Sequence, residues 1–317
     1  MQECSEIYGV DVAKDEVVTA QHGQSQIRSI VNEKSALDAW LATLSKGSII
    51  AMESTGIYHR LLAQRAHDAG MRVYVLNARD VHFYAKAMGA RGKTDRVDAL
   101  LIARYAAEHH TKLHAWEPGN SAHKRVEELL SRRATVVTKR ESLRQAFKGD
   151  RDVANELEQL DQSFDRFLVA LDAKINALIE ADEELATGRK RIASVTGFGP
   201  LGSALLAVLF ARIAFANGDA VVAYSGLDPR PNDSGKKRGI RQLSKRGPAH
   251  LRRQLYLSGF AASHSKALKP LYQFLRAKGF ATTEAFVILG RKLLRAAFSI
   301  WKTGQPWDPA KLLPKSA

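Results

Sequence analysis

The stretch Ile7-Tyr8-Gly9-Val10-Asp11-Val12-Ala13 has the apolar, β-branched composition of a buried strand, with one carboxylate inside it. Four further strands are predicted, at 16–20, 26–31, 48–53 and 71–76. Amphipathic patterns at 35–44 and 55–69 predict helices between the later strands, and the second helix would end at Gly70. This alternation of strands and helices predicts an α/β domain with a mixed sheet.

Four acidic residues accompany these elements. Asp11 interrupts the first strand and Glu53 ends the fourth, and a carboxylate in an apolar strand is costly unless it is paired or coordinated. Asp95 and Asp98 lie three residues apart, on one face of the first turn of a helix that Thr94 would cap. Each acid alone is compatible with a solvated strand end or a helix N-terminus. Together they predict a site for one or two Mg²⁺ ions that serves phosphoryl transfer.

The motifs around these acids resemble a known family. Val10-Asp11-Val12-Ala13-Lys14, Glu53-Ser54-Thr55-Gly56 and Lys93-Thr94-Asp95-Arg96-Val97-Asp98-Ala99 are similar to the DEDD signature of one insertion-sequence transposase family. Its relatives are pilin-gene DNA invertases and bridge-RNA-guided recombinases. The resemblance implies a RuvC/RNase H-like N-terminal domain in which the four acids are catalytic Mg²⁺ ligands. It also implies a DNA recombinase that inserts and excises a mobile element.

The net charge of +15 is concentrated near one end of the chain. Between Ser225 and Lys302 there are 17 Lys or Arg residues and three acids, whereas the rest of the chain is close to neutral. This distribution predicts a polyanionic partner, and nucleic acid fits better than a membrane because the cations are spread over several elements. The candidate nucleic-acid-binding residues are Lys236, Lys237, Arg238, Lys245, Arg246, Arg252 and Arg253.

Other compositional features exclude several classes of protein. The single cysteine, Cys4, leaves no internal disulfide and no cysteine-based zinc site. We expect neither a signal peptide nor a membrane span, because the most apolar run, 201–215, is short and contains Arg212. A cytoplasmic, nucleoid-associated protein is therefore expected. The histidines between 109 and 123 are interpreted as part of a solvated linker and not as metal ligands.

A helical, charged region follows the α/β domain. Apolar residues recur every three or four positions from Val153 to Leu178, and Leu129, Val136 and Leu143 lie seven apart. Gly149-Asp150 separates the two runs, so an antiparallel coiled-coil hairpin is predicted. Its seam could pack internally or against another protomer, and the family resemblance favours a homodimer or tetramer. The predicted domains are therefore 1–110, 111–187 and 188–317.

The stretch Thr196-Gly197-Phe198-Gly199-Pro200-Leu201-Gly202 contains the spacing of a dinucleotide-binding loop. That motif requires a strand before it within a βαβ unit, and the surroundings here are helical. We expect a turn between two helices, with backbone amides that contact a DNA phosphate. A helix-hairpin-helix has this appearance, and the resemblance implies one within a mostly α C-terminal transposase domain.

The turn-rich loop from Tyr224 to Gly239 contains Ser234 just before a basic cluster. One interpretation makes this serine a turn residue beside cations that bind phosphate non-specifically. The other makes its hydroxyl the nucleophile that forms a covalent phosphoserine with DNA while the cations stabilise the transition state. The resemblance places the family's nucleophile at Ser234, with Ser225 and Ser244 as the next candidates.

The resemblance thus implies that the acids and the serine combine across protomers, and that a structured noncoding RNA chooses the DNA. Two alternatives remain open. One is a metal-dependent, Holliday-junction-type nuclease in which water attacks and Ser234 only binds. The other is a non-catalytic nucleic-acid-binding protein, which the clustered negative charge argues against because it repels phosphate.

Overall fold

The computed structural model describes residues 6–54, 56–89, 94–230 and 241–313. The chain divides into two compact units, Met1–Pro118 and Gly119–Ala317. The N-terminal unit is mixed α/β and the C-terminal unit is mostly helical, as the composition and periodicity predict. The further division into three domains, with a separate hairpin at 111–187, remains a prediction.

A five-stranded sheet forms the centre of the N-terminal unit. Its strands are β1 Ile7–Val12, β2 Glu16–Gln21, β3 Ile27–Val31, β4 Ile49–Glu53 and β5 Arg72–Leu76. The spatial order is β3-β2-β1-β4-β5, in which β1, β4 and β5 are parallel and β2 is antiparallel to both of its neighbours. All five strands lie where the sequence predicts them.

Four helices cover the two faces of this sheet: α1 Lys34–Leu41, α2 His59–Asp68, α3 Ala78–Ala87 and α4 Asp95–His109. Residues of α1 and α2 share one core with Val10, Ile50 and Met52. Residues of α3 and α4 share the other with Ile49 and Ala51. Helix α3 was not predicted, and Val81 is its only buried residue.

The C-terminal unit contains eight α-helices within its described residues: α5 Ser121–Ala146, α6 Ala154–Glu180, α7 Glu183–Ala193, α8 Pro200–Arg212, α9 Gly218–Ser225, α10 Ala249–His264, α11 Lys269–Ala277 and α12 Thr282–Thr303. Helix α8 lies at its centre and is apolar on nearly every side. Two short strands, β6 Pro229–Arg230 and β7 Gln242–Leu243, pair between α9 and α10. In the described ranges, no helix combines the length and the apolar character that crossing a membrane requires.

Helices α5 and α6 form the predicted antiparallel pair, but charges hold much of it together. Arg140 donates to both carboxylate oxygens of Asp161, at 2.6 and 2.7 Å, and Arg133 pairs with Asp172. The apolar contacts instead lie near the other end, where Ile175 and Ile179 are buried in the common core. Leu160 and Phe167 of the predicted seam are exposed. A coiled-coil interface therefore remains a prediction.

Helices α7 and α8 are joined by the turn at 194–199, and the residues before this turn, Glu183–Ala193, are helical. A helix and not a strand precedes the turn in this described segment, so it does not form the βαβ unit that the dinucleotide-binding motif requires. Gly197 has φ of 105°, and a Cβ there would lie 2.6 Å from the carbonyl oxygen of Ser258 in α10. The turn thus packs tightly on α10, and its role in DNA binding remains a prediction.

Candidate active site

Asp11 and Glu53 lie side by side at the edge of the sheet where strands β1 and β4 end. In the parallel pairing of β1 with β4, Gly9 is opposite Ala51 and Val10 is opposite Met52. The same register brings Asp11 level with Glu53, and side chains at equivalent positions of neighbouring strands point to the same face. Both residues are half-buried. Two of the four predicted acids are therefore neighbours. The sequence alone could not establish this.

Helix α4 packs against β1 on this same face, and Gly9 permits the close approach. A Cβ on Gly9 would lie 2.2 Å from both the Ala99 carbonyl oxygen and the Ala103 amide nitrogen. Further along the helix, Ala106 shares a cluster with Ile7, which lies two residues before Gly9. The helix therefore runs antiparallel to β1. Its first turn lies toward the edge at which β1 and β4 end.

The start of α4 confirms the predicted helix cap. The Thr94 hydroxyl oxygen accepts a hydrogen bond from the Val97 amide at 3.3 Å, and the helix begins at Asp95. Asp95 is exposed and Asp98 is half-buried, and both lie in the first turn. The partial positive charge of a helix N-terminus stabilises two carboxylates there. Asp95 and Asp98 consequently belong to the same end and face of the sheet as Asp11 and Glu53.

The four acids fit a hard divalent cation in their donor chemistry. Carboxylate oxygens are the ligands that Mg²⁺ prefers, and all four come from elements that meet at one edge. Their side chains do not form a closed ligand set, however. Within the described ranges, no three His, Cys, Asp or Glu residues are grouped so that they could hold a metal ion.

Asn32, just beyond β3, connects the segments that follow the two acidic strands. Its side-chain amide donates to the carbonyl oxygen of Ala13 at 2.9 Å and, more weakly, to that of Tyr58 at 3.4 Å. Ala13 follows Asp11 by two residues and Tyr58 follows Glu53 by five. The Asn32 Oδ1 atom is buried and accepts no hydrogen bond from the described residues. One side chain thus ties together both strand ends.

The predicted nucleophile Ser234 and the cations Lys236, Lys237 and Arg238 lie outside the described residues. The residues on either side of this segment form a two-stranded sheet. Pro229 pairs with Leu243 and Arg230 with Gln242, so β6 and β7 form a short antiparallel neck. Below it, the Ser244 hydroxyl donates to the Asp228 carboxylate, and the Ser244 amide donates to the Asp228 carbonyl oxygen at 3.0 Å.

The base of this neck is closely packed against α9. Gly226 ends α9 with φ of 70°, and a Cβ there would lie 2.8 Å from the Arg246 amide nitrogen. A Cβ on Gly247 would lie 1.9 Å from the Tyr224 carbonyl oxygen. Lys245 between them has φ of 53°, an unfavourable value for a residue with a side chain. The segment 231–240 is therefore flanked by a rigid base.

The remaining candidates in this region occupy different environments. Ser225 is fully buried and its hydroxyl donates to the Val222 carbonyl oxygen at 2.7 Å, while Ser244 is nearly buried against Asp228. Lys245, Arg246 and Arg253 are exposed. Arg252 is half-buried and its guanidinium donates to the Gly247 carbonyl oxygen, so it supports the turn before α10.

Sequence reasoning missed Asn32 and Asp228. No short motif marks Asn32, whose partners lie 19 and 26 residues away. Asp228 lies in the loop from Tyr224 to Gly239, but its hydrogen bond to Ser244 spans 16 residues and depends on the pairing of β6 with β7. A signal for either residue would have required the tertiary fold.

Comparison with known proteins places this arrangement among transposases. A DEDD transposase model of the IS110 type matches residues 8–149, and a model described as "Transposase IS116/IS110/IS902 family" matches residues 189–273. The pilin gene-inverting proteins of Moraxella lacunata and Moraxella bovis are each 26% identical over 268 residues, which is 82% of this chain and 81% of theirs. An uncharacterized 42 kDa protein of insertion element IS900 from Mycobacterium paratuberculosis is 30% identical over 149 residues, 45% of this chain and 37% of its own.

The two family models describe one family and together match well over half of the chain, including all four acids. The segment with Ser234 lies within the second match. The resemblance noted in the local motifs is therefore confirmed at the level of the family. This chain belongs to the IS116/IS110/IS902 family of transposases and is a DNA transposase or recombinase.

Proposed function

We propose that this protein inserts and excises a mobile element by a serine mechanism assisted by Mg²⁺. In this proposal Asp11, Glu53, Asp95 and Asp98 hold the ion and Ser234 is the nucleophile. The observation that carries the proposal is the meeting of β1, β4 and the first turn of α4 at one edge of the sheet. The strand order with an antiparallel β2 supports a RuvC-like assignment for this unit.

A bound Mg²⁺ would supply a positive charge that orients a phosphate and offsets its developing negative charge. The protein's contribution is to hold the carboxylates in place. Register fixes Asp11 beside Glu53, and the Thr94 cap fixes the turn that contains Asp95 and Asp98. Such positioning lowers the entropic cost of bringing a phosphodiester to its attacking group.

The Ser234 hydroxyl would attack the phosphorus atom of a DNA phosphodiester. An Oγ–P bond forms, the bond from phosphorus to the departing sugar oxygen breaks, the hydroxyl loses its proton and the departing oxygen gains one. Exposed Lys245 and Arg246 offer positive charge near the base of the neck. The engaged hydroxyls of Ser225 and Ser244 favour Ser234 as the nucleophile.

The proposal includes partners beyond the DNA. A structured noncoding RNA would select the element ends and target, and the protein would act at the nucleoid. The exposed apolar residues Leu160 and Phe167 of α6 favour a homodimer or tetramer formed through the helical pair. In such an assembly, the acids of one protomer would combine with the serine of another.

The direct test is to incubate the protein with its element ends, RNA and Mg²⁺ and to look for a denaturant-resistant protein–DNA adduct. The wild-type protein should form the adduct and Ser234→Ala should not. Ser299→Ala, which removes an exposed hydroxyl from α12, is the matched control and should retain it. An adduct with Ser234→Ala would reject the nucleophile assignment. Cleaved DNA with free 5′-phosphates and no adduct would instead indicate a junction-type nuclease that uses water.

A further inference from the structure

A groove of about 430 Å³ lies between α5, α8 and α10 in the C-terminal unit. We propose that this α10 groove binds one unpaired nucleotide of the DNA substrate, with its base in the groove and its phosphate at the rim. The inference rests on the proposed function, because it gives the DNA transposase a nucleotide site on the helix that follows the serine-bearing segment in the sequence. None of the sequence motifs or family matches assigns a role to this groove.

The floor of the groove suits the face of a nucleobase. Leu201 and Leu205 of α8 and Leu130 of α5 line it, and the two α8 leucines are only partly buried. Its volume is within the range of small-molecule sites, which combine an apolar lining with a few polar groups. A base whose apolar face packs on these leucines leaves water, and burial of apolar surface is favourable. The apolar floor therefore suits the flat face of a base better than it suits a charged or extended ligand.

The rim supplies positive charge, and none of the residues that line the groove is acidic. Among its lining residues are Lys139, Arg133 and Arg253. The charge of Arg133 is offset by Asp172, with which it forms a paired contact that includes a 2.9 Å hydrogen bond. Lys139 and Arg253 are both exposed. Their charge complements a phosphate, so the groove matches the two chemical halves of a nucleotide.

The groove also contains groups that can hydrogen-bond to a base edge. Burial lowers the pKa of His250 below its usual value of 6.5, so its imidazole is neutral near pH 7. A neutral imidazole has one donor and one acceptor, and the neighbouring Gln254 amide has both kinds of atom. Base edges display donors and acceptors together, whereas a second apolar helix would leave these groups without partners.

The position of the groove connects it to the proposed chemistry. Helix α10 begins at Ala249, six residues after β7, so His250 lies close in sequence to the base of the β6–β7 neck. Gly247 and Arg252 fix this turn through contacts with α9 and with each other. A nucleotide held beside the start of α10 would therefore lie close to the base of the β6–β7 neck.

The experiment measures binding in the Ser234→Ala background, so that it does not depend on the covalent step. The probe is a short DNA duplex with one unpaired 2-aminopurine, compared with the same duplex fully paired. Burial of the base against the groove floor should make binding of the unpaired probe roughly tenfold tighter and change its fluorescence. Equal affinity for the two duplexes would overturn the proposal.

Two substitutions distinguish binding in the groove from non-specific electrostatic binding of DNA. Thr138→Trp places a large side chain at an exposed position of the rim and should abolish the preference for the unpaired probe while leaving binding to the paired duplex intact. Arg253→Ala should weaken the unpaired probe's binding more than Lys266→Ala, which removes an exposed charge elsewhere. Thermal melts of each variant establish that it is folded.

Three further outcomes would each reject one part of the proposals. A preference that survives in Thr138→Trp would reject the groove as the site. Tighter binding of an unpaired RNA nucleotide than of the DNA probe would reject DNA as its ligand. If the preference is present but wild-type protein forms no adduct with element ends, the groove stands and the serine mechanism fails.

Discussion

Gly9 of β1 lies directly against the backbone of Ala99 in α4, so close that a Cβ on Gly9 would be 2.2 Å from the Ala99 carbonyl oxygen. No other residue type fits at this crossing. The contact sets the depth at which α4 sits on the sheet and brings its first turn to the edge where Asp11 and Glu53 lie. A packing contact thus controls the geometry of the proposed metal site.

Gly9→Ala should destabilise the N-terminal unit strongly, because the added methyl group meets backbone atoms that cannot rotate away. We expect a loss of about 3 kcal/mol or more in the free energy of unfolding. Urea denaturation measures it. Gly199→Ala is the control, since its Cβ would meet nothing within 4 Å and its φ is −86°. A Gly9→Ala protein as stable as wild type would show that α4 does not pack this closely.

Asp98→Asn should impair metal binding while preserving the fold, since the substitution keeps the shape of the side chain and removes its charge. We expect Mg²⁺ or Mn²⁺ affinity to fall at least about tenfold, a loss typical even for groups that only support a ligand. Titration calorimetry with Mg²⁺, and electron paramagnetic resonance of Mn²⁺, measure these affinities without DNA. Asp15→Asn, at an exposed turn after β1, is the matched control. Unchanged affinity in Asp98→Asn would remove it from the proposed ligand set.

Asn32→Ala should weaken metal binding indirectly, because it removes the amide that joins the segments after Asp11 and Glu53. The expected result is roughly tenfold weaker Mg²⁺ affinity, with recombination partly restored at high Mg²⁺. Asn77→Ala provides the comparison. It removes the cap of α3, where Asn77 accepts from the Arg79 amide at 2.9 Å, and should cost about 1 kcal/mol of stability without changing Mg²⁺ affinity. Equal Mg²⁺ affinities in the two variants would mean that Asn32 serves stability alone.

Asp161→Asn should destabilise the α5–α6 pair near pH 7 and much less in acid. Hydrogen bonds from Arg140, and next from Arg144, hold the pKa of the Asp161 carboxyl well below its usual range. A lowered folded-state pKa adds stability above the unfolded value of about 3.9, and this stability is lost as pH falls toward the folded-state pKa. The difference in Tm between wild type and variant should therefore shrink between pH 7 and about pH 2.5.

Circular dichroism at both pH values follows this difference. Glu158→Gln, at an exposed residue of α6 whose carboxylate accepts a hydrogen bond from the neutral Gln162 amide at 3.5 Å, should match wild type at each pH. A Tm difference for Asp161→Asn that is independent of pH would mean that the ion pairs contribute little.

Local signals in the sequence predicted much of this molecule. Strand composition placed β1 through β5, and the capping preference of Thr94 placed the start of α4, because both depend on residues that are neighbours in the chain. Helix α3 escaped prediction because little of it is buried. The exposure of Phe167 could not be anticipated either, since arginine–aspartate pairs replace apolar contacts along that part of α6.

By itself, the sequence determined the α/β and helical halves, the four acids and the family of this protein, because periodicity, caps and motifs are written in consecutive residues. Only the tertiary structure decided that Asp11 lies beside Glu53, that Gly9 seats α4 so that Asp95 and Asp98 share their edge, and that Ser244 bonds to Asp228. The α10 groove also exists only where three helices meet. These relationships depend on strand register and helix packing, which join residues far apart in the chain through contacts that no local pattern encodes.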